Sequence, residues 1–75
     1  MNKELRKHPI WFSMSYVGAR KKLEEVYPED KDVETWVEEL EALSEEQLRE
    51  LFGKYWIEVS RALNSYAVLK LFSQR

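Results

Sequence analysis

The chain contains no cysteine, which excludes a disulfide scaffold, a thiolate zinc site and a cysteine nucleophile together. Two glycines and two prolines in 75 residues leave little turn punctuation, and this disfavours a many-stranded β fold. The longest unbroken apolar run is the four residues Tyr66 to Leu69, whereas a membrane-spanning helix needs about 20. Basic residues precede Ile10, Trp11 and Phe12 in the manner of a signal peptide. Glu4, Ser13 and Ser15 interrupt that pattern, and Arg20, Lys21 and Lys22 follow at once.

What is present is a folding composition, with 44% hydrophobic and 35% charged residues in 9.1 kDa, enough for a single core. No internal repeat is visible. The division expected is a flexible basic arm over residues 1–8 and one helical domain over 9–75.

The pattern predicts an all-α three-helix bundle with helices at about 9–27, 32–43 and 45–72. Pro9 suits the first turn of a helix, because its missing N–H would have no partner there. Pro28 ends that helix. Within it, Phe12, Tyr16, Ala19, Leu23 and Val26 recur at helical spacing and form the expected core stripe. Asp30 or Asp32 can cap a second helix with Val33, Trp36, Val37, Leu40 and Leu43 on one side. Ser44-Glu45-Glu46-Gln47 is a capping box, so a third helix begins at about Glu45. Its apolar positions keep one phase from Leu48 to Leu69, with Phe52, Tyr55 and Tyr66 expected in the core. Gly53 interrupts them; a bend or a break there would give four helices.

Two helices carry more apolar surface than a core needs. Ile10, Met14 and Val17 form a second stripe behind the first, with Trp11 between the two. Ile57, Val68 and Leu71 lie on the far side of the third helix, with Trp56 on its shoulder. A helix that is apolar all round is normally buried all round, and so short a chain cannot surround two such helices. In an up-down-up bundle the two surpluses sit at opposite ends. They can cover each other between two copies related by a two-fold axis. The expected self-association interface is therefore Ile10, Trp11, Met14, Val17, Trp56, Ile57, Val68 and Leu71, making a homodimer or a monomer docked on a larger protein.

Charge is segregated. Residues 24–50 hold twelve acidic groups against Lys31 and Arg49, a balance of −10, while residues 1–23 stand at +5 and residues 51–75 at +3. Glu34, Glu38, Glu39, Glu41, Glu45 and Glu46 form an acidic face suited to a basic partner, including by nucleic-acid mimicry. Direct nucleic-acid binding is disfavoured by the isoelectric point of 5.4. Only Lys3, Arg6 and Lys7 could act as an arm on a phosphate backbone.

Catalytic chemistry is sparse. His8 is the single histidine, lies beside a proline and is expected to be exposed and idle. No glycine-rich phosphate loop, zinc-helix motif or nucleophile elbow occurs. The carboxylate row Glu34, Glu38, Glu41 and Glu45 lacks the converging loop of a hard-cation site. No catalytic residue, cofactor, metal or small-molecule substrate is expected.

The expectation is a non-enzymatic, cytoplasmic helical module that self-associates and binds or inhibits a larger protein, in the manner of a small bacterial or phage regulator. Two alternatives stand beside it. One is a dimeric nucleic-acid-associated regulator using the basic arms; the other is an assembly component of a larger homo-oligomer.

Overall fold

A computed structural model describes residues 3–73, with the side chain of Lys3 outside the described atoms. The fold is all-α. Among the described residues six helices follow in order: α1 (Lys3–Lys7), α2 (Pro9–Phe12), α3 (Val17–Val26), α4 (Val33–Glu41), α5 (Glu45–Phe52) and α6 (Trp56–Ser73), with a 3-10 turn at Gly53–Tyr55 before α6. None of the helices among the described residues is long and apolar enough to cross a membrane.

Several boundaries follow from local chemistry read in the sequence. Pro9 opens α2, and Asp32 caps α4 by accepting from the Thr35 amide at 3.1 Å. The capping box is complete: the Gln47 amide donates to Ser44 Oγ at 3.2 Å, and Gln47 Oε1 accepts from the Ser44 amide at 2.9 Å. Tyr27, held extended ahead of Pro28, ends α3. Its hydroxyl donates to the Lys31 carbonyl, and its ring meets Trp36 edge-on at 4.9 Å.

The helix expected over 9–27 is divided. Residues 13–16 form a non-helical elbow between α2 and α3. Ser13 Oγ donates back to the Pro9 carbonyl at 3.1 Å, a local bond that competes with helix continuation. Gly18 follows, a residue of low helix propensity. The Trp11 carbonyl freed by the break accepts from the Met14 amide at 3.3 Å and from Arg20 Nε at 3.1 Å.

The elbow re-phases everything before it. Ala19 and Leu23 are buried as the stripe required, but Phe12 and Tyr16 are exposed, and Ile10 and Met14 are wholly buried in their place. In place of a flexible arm, Lys3–Lys7 form a helix whose Leu5 is also wholly buried.

Gly53 breaks the other long helix, as the four-helix alternative allowed. Its φ of 59° and ψ of −134° fall in a region that only glycine adopts readily. Phe52 and Val59, on either side of the 3-10 turn, are both wholly buried, with Tyr55 partly buried between them.

Helix α6 packs against α2, α3, α4 and α5 and is the central element. The core gathers Leu5, Ile10, Met14, Leu23, Val37, Leu40, Phe52 and Val59 at 2% exposure or less, and no polar or charged residue is buried among the described residues.

Candidate interaction surface

The eight residues expected at a self-association interface separate into three groups. Ile10 and Met14 have no exposed surface and cannot present a contact face. Trp11 and Trp56 are half-buried against the core and covered by cations. Arg6 and Arg20 lie 5.6 and 5.7 Å from the Trp11 ring centroid, and Arg49 lies 4.5 Å from that of Trp56. Val17, Ile57, Val68 and Leu71 remain exposed.

Others join those four. Phe12 and Tyr16 are exposed because the elbow turns them outward. In the last two turns of α6, Val68, Leu69, Leu71 and Phe72 are 52%, 52%, 69% and 64% exposed. Upstream, the core side of α6 is covered through Val59, Ala62 and Leu63. Beyond Tyr66, Lys70 is anchored to Glu41 at 2.9 Å, and its apolar neighbours face outward. Of the N-terminal apolar surplus, Ile10 and Met14 are thus absorbed within one molecule while Val17 stays exposed, and the C-terminal surplus is exposed throughout.

A cavity of about 500 Å³ opens at the other end of α6. It is lined by Tyr16, Gly18, Lys54, Tyr55, Ile57, Glu58 and Arg61. Gly18 shapes it: a Cβ at that position would lie 2.9 Å from Tyr55 Cζ, so only a residue without one admits the Tyr55 ring here. Lys54 Nζ stands 5.3 Å from the Tyr55 ring centroid, leaving two cations, Lys54 and Arg61, among the lining groups.

The acidic face is largely tied into the molecule. Glu39 pairs with Lys31 at 2.8 Å, Glu41 with Lys70 at 2.9 Å and Glu45 with Arg49 at 2.9 Å. Glu38 and Glu46 form no ion pair among the described residues. Of the expected nucleic-acid arm, Arg6 is paired with Glu24 at 2.9 Å, Lys7 is exposed, and the Lys3 side chain lies outside the described residues.

His8 is not idle. Its side chain is only 9% exposed, and both ring nitrogens are engaged. Nδ1 accepts from the Ile10 amide at 3.2 Å and caps α2, so in the neutral ring the proton sits on Nε2 and is donated to Glu34 at 3.0 Å. Tyr66 meets the same imidazole edge-on at 4.5 Å and donates to the same carboxylate at 2.8 Å. The cap position was readable from the His-Pro pair. The partners, Glu34 on α4, 26 residues from His8, and Tyr66 on α6, a further 32 residues along the chain, were not.

Partial burial opposes ionisation of Glu34. Hydrogen bonds from Tyr66 and His8 and the charge on Lys70 together outweigh it, so the carboxyl lies below its ordinary value. Burial, then the Glu34 carboxylate and the charges of Glu41 and Glu38, push the Tyr66 hydroxyl from 10.0 up to about 12. A hydroxyl favoured in its neutral form by folding stabilises the protein fully below pH 10, and that contribution is lost as pH rises from 10 towards 12. In an absorbance titration of the four tyrosines, one is expected to ionise near pH 12 and to move back towards 10 in Glu34→Gln. If Glu34→Gln leaves every tyrosine midpoint where it was, Tyr66 is not held by that carboxylate.

No family model, curated protein or solved structure matches the chain. The functional reading therefore rests on this surface.

Proposed function

We propose that the protein is a non-enzymatic helical interaction module that self-associates through the apolar side chains of α6 and the elbow. The observation carrying this reading is the exposure of Val68, Leu69, Leu71 and Phe72 on the last two turns of a helix whose earlier turns form the centre of the core. Full burial of a fully exposed side chain of this kind supplies about 1.5–3 kcal/mol, and these four, 52–69% exposed, still forgo the larger part of it. A domain this small gains only roughly 3–5 kcal/mol from its own core, so covering these residues would raise its stability substantially. The acidic side of α4 and α5 is the second contact surface in this reading. Glu38 and Glu46 are the carboxylates available there to a basic partner.

Light scattering coupled to size exclusion tests self-association. The parent chain is expected to elute with a mass above 9.1 kDa that rises with concentration. Val68→Glu combined with Leu71→Glu is expected to return it to 9.1 kDa with its helical circular dichroism retained. A parent that remains at 9.1 kDa up to millimolar concentration would overturn the proposal.

A further inference from the structure

The geometry points to a specific partner for this surface: a second copy of the chain, packed antiparallel along α6 so that each copy's Leu71 and Phe72 enter the other's Tyr16–Tyr55 cavity. This rests on the self-association reading and adds the direction and register of the pair.

The outward face of α6 carries Ile57, Arg61, Asn64, Val68 and Leu71, all exposed. Their 4-3-4-3 spacing is that of a coiled-coil seam, on the side of the helix away from Val59, Ala62 and Leu63. The first four read apolar, polar, polar, apolar, which is the same in either direction. An antiparallel pair whose two-fold axis passes between Ala62 and Leu63 sets Ile57 against the second copy's Val68. The same register sets Arg61 against its Asn64, so a guanidinium donor meets an amide oxygen. Apolar layers meet apolar ones, polar layers meet polar ones, and every contact occurs twice, as an isologous interface requires.

The same register brings Leu71 level with Lys54 of the second copy, at the edge of the cavity of about 500 Å³. That volume exceeds a leucine and a phenylalanine side chain together. The final carbonyls of α6 carry the negative end of the helix dipole, and the charged groups lining the cavity are two cations, Lys54 and Arg61, against one carboxylate, Glu58. Parallel pairing would oppose Arg61 to Arg61 and leave both cavities unfilled.

The apolar side chains of the band are about half to two-thirds exposed, so each aromatic offers less than the roughly 150–250 Å² it buries when fully covered. The pair therefore falls below the roughly 800 Å² per copy of a standard interface, in the range of weak, concentration-dependent association.

The absence of native cysteine makes the test clean. Ile57→Cys and Val68→Cys, both at exposed positions, are prepared separately and oxidised alone and as an equimolar mixture, with helicity checked by circular dichroism and mass by light scattering. In the antiparallel pair, residue 57 of one copy lies about 16 Å along the axis from residue 57 of the other. That is beyond the roughly 7 Å Cα separation a disulfide tolerates. The expected result is covalent dimer from the mixture and little from either variant alone. Covalent dimer from each variant alone, with none added by mixing, would overturn the antiparallel register while leaving self-association standing. A parent dimer that cross-links in neither arrangement would overturn it too, by placing the contact elsewhere. A strictly monomeric parent overturns both this inference and the reading beneath it.

Discussion

Phe52→Ala is expected to unfold most of the chain at room temperature. Phe52 is the largest wholly buried side chain, and it closes α5 immediately before Gly53 turns the chain into α6. Truncating a buried phenylalanine costs about 3–5 kcal/mol, part from lost transfer energy and part from the cavity left behind. A domain of this size has roughly 3–5 kcal/mol to lose. Collapse around the gap is restricted, because Gly53 occupies a backbone region that other residues do not share and the chain cannot readily re-register there. Far-UV circular dichroism with urea titration measures the effect. A loss under roughly 1 kcal/mol would mean that the α5–α6 junction is not packed around this ring.

The parts of the fold legible in the sequence are those written in short-range chemistry. Pro9, Pro28, Asp32 and the Ser44–Gln47 box act over four residues or fewer, and each marks a boundary in the structure. The α4 core positions Val33, Trp36, Val37 and Leu40 are buried because an unbroken nine-residue helix preserves its 3.6-residue phase. The failures trace to the elbow. With no proline or glycine inside residues 13–16, periodicity runs through it, and the stripe from Ala19 back to Phe12 looks continuous. Ser13 and Ser15 were the available signal, since serine hydroxyls compete for backbone groups. Leu5 was missed because a single apolar residue among charges shows no period. The His8–Glu34–Tyr66 cluster joins three helical segments and could be read only once they were packed.

The elbow also reverses what one substitution means. On a continuous first helix, Met14 lies on the surplus stripe, and Met14→Glu would only disrupt self-association. In the fold it is wholly buried, within a loop whose amide is already committed to the Trp11 carbonyl. No buried polar or charged residue lies among the described residues to receive a carboxylate. An uncompensated buried charge costs about 3–5 kcal/mol, comparable to the whole stability of so small a domain. Met14→Glu is therefore expected to abolish helical circular dichroism near neutral pH. Val68→Glu, at a half-exposed position, is expected to keep the helices and alter only the associated mass. The two single variants measured side by side separate core from surface on the residues the sequence had grouped together. A Met14→Glu chain that melts like the parent would mean that this side chain lies in water, as it would on a continuous first helix without the elbow.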